Sequence, residues 1–324
     1  MNYIVFDLEW NQSPAGRAGE HPRMPFEIIE IGAVKLNEEL EIIDEFRRLI
    51  KPKLYKKLQK YIRELLSYNE EDLKREGVGF REACTQFLEW CADGSEEGYA
   101  FCTWGPSDLS YLQNNMDFYN MKKLPYPLRF YDIQQIYAEK HSKDGSVSRL
   151  EKAVDEIGIE ADRPFHTAVN DAYYTGRVMQ DKKLGNFKEK YCYDNYRHPR
   201  RSSENIHDFH NDMLEEIMGE YPNRKSALLE RRVTELRCVR CGRALFKSVP
   251  LYPTGNGQYL AAGKCPRHGR MQLHVKVKAA ADSLDTVYIV KKITPIGVSR
   301  YRDINRKRKN ILKKKKERSR KNEK

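Results

Sequence analysis

Asp7 and Glu9 stand two residues apart in Tyr3–Trp10, where apolar and acidic residues alternate. In a strand such a pair leaves one face together, while Phe6, Leu8 and Trp10 leave the other. Two adjacent carboxylates repel each other unless something positive neutralises them. A divalent cation with oxygen preference does this, and Mg²⁺ takes one or two protein carboxylates plus waters and phosphate oxygens. Taken alone, the pair is more often an amphipathic edge strand with a solvated face. Asp108 follows Trp104-Gly105-Pro106-Ser107, and Asp171 lies five residues beyond His166. A spacing of five does not share a helix face. It fits a His on a loop or first turn and an Asp one turn deeper, both turned to one crevice. Read singly, Asp108 also fits a helix cap and His166 a surface residue.

A second set of ligands lies further on. Cys238-Val-Arg-Cys241-Gly242 and Cys265-Pro-Arg-His268-Gly269 each offer two metal-capable side chains three apart, followed by Gly. Such knuckles turn tightly, point backbone amides at sulfur, and need Gly for the turn. Two knuckles 23 residues apart make a tetrahedral Cys3His site, the pattern of a structural zinc ribbon. A closed four-ligand site leaves no position for catalysis. Cys84, Cys91, Cys102 and Cys192 read as buried or incidental. His207 and His210, beside Asp208, read as a solvated helix face rather than a metal site.

The elements that must position these residues are legible in outline. Tyr3–Trp10, 27–36 and 41–50 read as three consecutive strands, an opening meander. Leu58–Leu66 and Phe80–Cys91 have helical apolar spacing. Tyr99–Trp104 reads as a buried strand, followed by a helix starting near Ser107 or Asp108. Leu128–Ile133 is a further strand, then helices to about His141, over Ser148–Ile157 and over His166–Gln180. Strands first, then alternating helix and strand, give an α/β mixed sheet flanked by helices over residues 1–185. Residues 186–236 read as a linker holding an amphipathic helix with Ile206, Phe209, Met213 and Ile217 on one stripe. Residues 237–297 return to short strands at Leu245–Tyr252, Gln272–Lys278 and 286–293. Residues 298–324 form a low-complexity basic tail, expected to be disordered.

Composition narrows the function class. The chain has 324 residues, 40% hydrophobic and 33% charged, enough for a packed core. No apolar run approaches the roughly 18 residues of a membrane span, and Met1–Trp10 is not a signal peptide. Seven cysteines without an export signal suggest reduced thiols or metal ligands in a cytoplasm. The net charge is +12, and residues 300–324, with 14 basic and three acidic side chains, carry +11 of it. The rest is near neutral, so the basicity belongs to a C-terminal arm that attracts polyanions by releasing counterions.

The order of the acids and the His resembles a known family. Phe6-Asp7-Leu8-Glu9 is similar to the first motif of the DEDDh 3′–5′ exonucleases, Trp104-Gly105-Pro106-Ser107-Asp108 to the second, and His166-x4-Asp171-Ala172 to the third with its diagnostic His. Glu30-Ile31-Gly32-Ala33-Val34 resembles the family's second strand. Tyr131-Asp132-Ile133-Gln134 and Leu150-x6-Ile157-Gly158-Ile159 resemble its later segments. The likeness covers about residues 1–183 and is nearest the Eri-type and sporulation-inhibitor-type branch, whose members often act on RNA. Trp10 departs from the small or hydroxyl residue often found there; strand parity places it with the core. Asn11 shares the acidic face, as a substrate contact or a turn residue.

The resemblance implies an RNase H-like fold and hydrolysis of phosphodiester bonds from free 3′ ends of single-stranded RNA or DNA, RNA preferred, releasing 5′-nucleotides. Two Mg²⁺ or Mn²⁺ ions about 4 Å apart would be held by Asp7, Glu9, Asp108 and Asp171, with Asp7 bridging. His166 would take the proton from the attacking water. One structural Zn²⁺ would occupy Cys238, Cys241, Cys265 and His268, and ribbon and tail would anchor nucleic acid. The rival readings are a DNA-directed trimming nuclease and a regulatory protein that docks on nucleic acid with the same fold.

Overall fold

The computed structural model describes residues 1–142, 146–280 and 286–322. It divides into two compact units, Met1–Tyr196 and Arg197–Lys324.

The first unit opens with the expected meander, β1 (Asn2–Asn11), β2 (Glu27–Leu36) and β3 (Ile42–Leu49), all antiparallel. Helices α1 (Lys60–Leu65), α2 (Glu70–Glu76) and α3 (Phe80–Ala92) follow. α2 was not foreseen, although Asn69 and Asp72 close a capping box at its start. Then come β4 (Tyr99–Thr103), α4 (Ser107–Phe118), β5 (Arg129–Asp132), α5 (Ile133–His141), α6 (Leu150–Glu156), α7 (Ala168–Met179) and the short β6 (Cys192–Tyr193). The sheet order is β3-β2-β1-β4-β5-β6. β4 runs parallel to β1 and β5, while β6 is antiparallel to β5. This is the mixed, helix-flanked sheet of the RNase H-like class.

Period-two alternation in β1 sends its residues into two layers. Ile4, Phe6 and Leu8 pack with Phe80, Phe87 and Leu109 from α3 and α4. Tyr3 and Val5 pack with Tyr174, Val178 and Met179 of α7. Sandwiched between both layers, β2 is buried at all ten positions. Asp7 and Glu9 continue the Tyr3–Val5 face, so the acids emerge where α7 begins rather than on an open face.

The second unit corrects two expectations. The stripe Ile206, Phe209, Met213 and Ile217 is not a helix but a hairpin of β7 (Ile206–His210) and β8 (Met213–Tyr221). Asn211 and Asp212, both in the left-handed region at φ 46° and 56°, make the two-residue turn that fits paired strands. Short α8 (Arg224–Leu229) and α9 (Arg231–Thr234) precede β9 (Val249–Gly255), β10 (Gln258–Cys265), β11 (Gly269–Ala279) and β12 (Val287–Ile296). The sheet order is β7-β8-β12-β11-β10-β9. The basic tail is α10 (Val298–Asn322), a helix instead of a disordered arm. It is seated because Ile304 is fully buried in a cluster with Val249, Tyr252, Leu260 and Ala262, joined by Tyr301 and Ile311. Residues 323 and 324 of that tail lie outside the described residues. Among the described residues no helix is long and apolar enough to cross a membrane.

Candidate functional site

β1 and α7 bring three of the acids together. One carboxylate oxygen from each of Asp7, Glu9 and Asp171 lies within 4.8 Å of the others. The close approach of α7 depends on Gly32, the ladder partner of Asp7. A Cβ there would meet the main chain of Ala168 and Val169 at 2.2 and 2.0 Å. Asp108, in the first turn of α4, is buried at 4% exposure. It is not a member of the three-carboxylate group, yet its charge acts on Asp7 and Glu9. Its Oδ1 is buried without a hydrogen-bond partner.

These carboxyls resist ionisation. Burial, then the charges of Asp108 and Asp171, push Asp7 well above the usual carboxylate range. Burial and Glu30 do the same to Glu9. Burial pushes Asp108 up to about 7 against the pull of its own amide and that of Leu8. Burial likewise raises Asp171 to about 7, opposed by the His166 amide. A cluster so crowded, with a buried orphan oxygen beside it, has the donor set that hard divalent cations favour. The acids therefore fit such ions.

His166 sits just before α7 with φ +65°, a conformation uncommon outside glycine. That turn lets its backbone N–H donate to Asp171 Oδ1 at 3.3 Å. Its ring is 40% exposed, with Nε2 3.7 Å from Glu151 Oε1. The His and Asp thus share one turn, the His at the rim and the Asp inside.

Two residues near the acids had drawn no attention as site residues. Glu30, fully buried, is the ladder partner of Glu9 and receives Arg47 Nε at 2.7 Å. The available signal was an acid flanked by Ile28, Ile29 and Ile31. Glu27 accepts from the amides of Lys53, Leu54 and Tyr55. Asn11 is fully buried and donates to the carbonyls of Tyr55 and Lys57, so it holds a loop and is a poor substrate contact. Trp10 packs on Tyr111, with centroids 4.7 Å apart, and joins the core cluster.

In the second unit, ligand atoms of Cys238, Cys241, Cys265 and His268 all lie within 4.8 Å of one another. Cys241 and Cys265 sulfurs are 3.9 Å apart, and His268 Nδ1 is 3.4 and 3.7 Å from the sulfurs of Cys238 and Cys265. Tetrahedral zinc bonds require separations of about 3.8 Å between sulfurs and about 3.6 Å between sulfur and nitrogen. Gly242 and Gly269 are left-handed, at φ 68° and 84°. Burial opposes ionisation of Cys265, but the amides of His268 and Arg267 aimed at its sulfur bring the thiol down to about 6. The Cys3His cluster fits zinc. Elsewhere, Cys84, Cys91 and Cys102 are buried, and burial pushes each thiol up. His207 Nδ1 lies 2.8 Å from Glu216, and His210 is buried between Asp208 and Glu215.

An RNase H-like sheet with clustered acids at the β1–α7 junction defines a phosphodiester hydrolase. The sequence model of the exonuclease family typified by RNase T matches residues 4–179, and the chain belongs to that family. It is thus an exonuclease, of a family that uses divalent metals. Among solved structures, the nuclease domain of 3′hExo, a DEDDh family member bound to rAMP, is 22% identical with a TM-score of 0.49, covering 56% of this chain and 90% of that one. A 3′-exonuclease described in 3′-end-specific recognition of a histone mRNA stem-loop is 19% identical with a TM-score of 0.50, covering 57% and 64%. The E. coli exonuclease I complex with single-stranded DNA is 10% identical with a TM-score of 0.48, covering 81% and 54%. No curated protein matches the sequence.

Proposed function

We propose that this enzyme removes nucleotides one at a time from the 3′ end of single-stranded nucleic acid, RNA by preference, releasing 5′-nucleotides. The observation that carries this reading is the convergence of Asp7, Glu9 and Asp171 within 4.8 Å, beside buried Asp108. Together these would hold two Mg²⁺ or Mn²⁺ ions. Such ions, when bound, activate the attacking water and relieve charge on the leaving oxygen. The chain's own part is to hold the acids in place through Gly32, whose missing side chain admits the start of α7. His166 would accept the proton of the attacking water on its ring. Glu151, 3.7 Å from Nε2, provides a counter-charge for the protonated ring. The Cys3His site would hold one structural Zn²⁺, and the second unit with its basic helix would grip the strand.

End-labelled RNA and DNA oligomers, free or blocked at the 3′ end, with Mg²⁺, Mn²⁺ or EDTA, test the reading. Stepwise shortening of free RNA ends, faster than DNA and abolished by EDTA, is expected. Cleavage of 3′-blocked strands at an undiminished rate would overturn the direction, and faster DNA shortening would make the enzyme a DNA-trimming nuclease.

A further inference from the structure

The second unit carries a cleft that the metal sites do not use. Gln272, His274 and Lys276 share one face of β11, and the ladder sets Leu260 opposite His274 and Gln258 opposite Lys276. α10 lies along this face. Between them is a cleft of about 470 Å³ lined by Gln258, Gln272, His274, Arg300, Lys307 and Asn310, with Leu260 and Ile311 as its apolar part.

Its charge is one-sided. Among the described residues, no carboxylate lines it. Asp303, on the same helix, is engaged by Arg306 at 2.7 Å, and Glu215 by Lys292 at 3.0 Å. Arg300 Nε donates to Gln272 Oε1 at 2.9 Å, which pins the guanidinium to the sheet. Lys307 makes no ion pair among the described residues. Burial, then Lys292, Lys276 and Arg300, pull His274 down to about 4. Its ring is thus neutral at pH 7, within 3.1 Å of Gln258 Oε1. Like charges gathered around a half-buried cleft raise the energy of the empty state and favour an anion there.

The cleft is also rigidly built. Ile304 is fully buried, and Tyr252 donates its hydroxyl to the Ile304 carbonyl at 2.9 Å. Tyr301 donates to Ser248 Oγ at 3.0 Å. A site preformed in this way orders little on binding.

We propose that this cleft binds the phosphates of a single nucleic-acid strand. The choice of ligand rests on the nuclease reading above. The chemistry of the cleft supports it over an acidic polypeptide. Arg300 and Lys307 are two helical turns apart, about 10.5 Å along the axis, farther than one nucleotide step, which suits two phosphates of a strand with another between them. The amides of Gln258, Gln272 and Asn310 both donate and accept, and Leu260, Ile311 and the neutral His274 ring offer surface for sugar and base.

The test uses the full chain carrying Asp7→Asn, so that substrate is bound and not cut, with a 5′-fluorescein 20-nucleotide oligouridylate followed by anisotropy across a salt series. Arg300→Gln with Lys307→Gln should weaken binding about tenfold and reduce the log–log salt slope by about 1.4, the value for two lost single-strand contacts. Lys313→Gln with Lys314→Gln removes the same charge from the same helix outside the cleft and should weaken binding less than threefold. Gln258→Glu places a carboxylate in the cleft without altering α10 and should also weaken binding about tenfold. Equal losses from the two paired variants, or no loss from Gln258→Glu, would overturn the proposal. Displacement of the oligomer by a glutamate peptide of matched charge as readily as by unlabelled oligouridylate would assign the cleft to acidic proteins and overturn it too. If the wild-type chain cuts tetranucleotides while the cleft variants bind normally, the cleft proposal falls and the nuclease reading stands. If it cuts nothing while the cleft variants lose binding, the reverse holds.

Discussion

The main chain of Val169 lies directly against Gly32, so that a Cβ on Gly32 would stand 2.0 Å from the Val169 nitrogen. Because Gly32 pairs with Asp7 in the sheet and Val169 precedes Asp171 by half a turn, this contact sets the spacing of two carboxylates on different elements. Gly32→Ala must push α7 outward against backbone, not against a yielding side chain. A stability loss of about 1–3 kcal/mol and a rate loss of at least tenfold are expected. Gly176→Ala, on the same helix, meets only side chains of Val34, Leu36 and Ile42, at 3.2 Å or more, and should be much milder. Thermal melts and oligomer turnover for both variants decide it; equal effects would remove Gly32 from its role.

Asp7→Asn should abolish turnover while leaving the fold and strand binding intact. It removes a carboxylate whose neighbours already oppose its ionisation, so the metal-free variant should melt no lower than wild type. Near wild-type degradation by purified Asp7→Asn would refute the acidic site.

The crowded acids also predict a pH signature in metal-free protein. Asp108 and Asp171 are raised to about 7 from an ordinary 3.8. Between those values the folded chain binds more protons than the unfolded one, so their stabilising contribution is complete below about pH 4 and lost as pH rises through 7. Metal-free protein should melt lower at pH 8 than at pH 5, and Asp108→Asn should flatten that difference. Added Mg²⁺ should restore the melting temperature at pH 8. A pH response identical in wild type and Asp108→Asn would contradict the assigned burial of these carboxyls.

His166→Ala should slow hydrolysis by roughly 10²- to 10⁴-fold, the range for a positioned base, with metal affinity nearly unchanged. A metal-binding defect equal to that of Asp171→Asn would make His166 a ligand and undo the division of roles.

How far these features could be read in advance depended on the geometry carrying them. Asp7 and Glu9 were visible because an alternating strand reports its faces directly. Their neighbour Glu30 was not, because β2 is covered on both sides and gives no alternation to read. The hairpin of β7 and β8 was mistaken for a helix for a related reason. Ile206, Phe209, Met213 and Ile217 recur at three and four residues, yet the left-handed pair Asn211 and Asp212 resets the strand parity between them. In α10 the charge run hid the anchors: Tyr301, Ile304 and Ile311 fall on one side of a helix, but only β9 and β10 explain what they pack against. The Cys3His knuckles needed no such context, since their spacing and the following glycines are local.

That anchoring reshapes what truncation of the tail should do. Removing residues 300–324 would delete Ile304 and uncover Val249, Tyr252, Leu260 and Ala262, so the second unit should lose stability along with charge. Ending the chain after Leu312 keeps Tyr301, Ile304 and Ile311 in that cluster and removes eight basic and two acidic residues, or +6. If these outer turns hold nucleic acid, affinity for long strands should fall and its salt dependence should flatten, because fewer counterions are released. Turnover at saturating substrate should barely change, since binding that is equal in ground and transition state does not lower the chemical barrier. Melting curves, binding isotherms and rates for the two truncations separate packing from charge. A chain ending at Leu312 that binds long RNA with the wild-type salt slope would show that these turns serve something other than the strand.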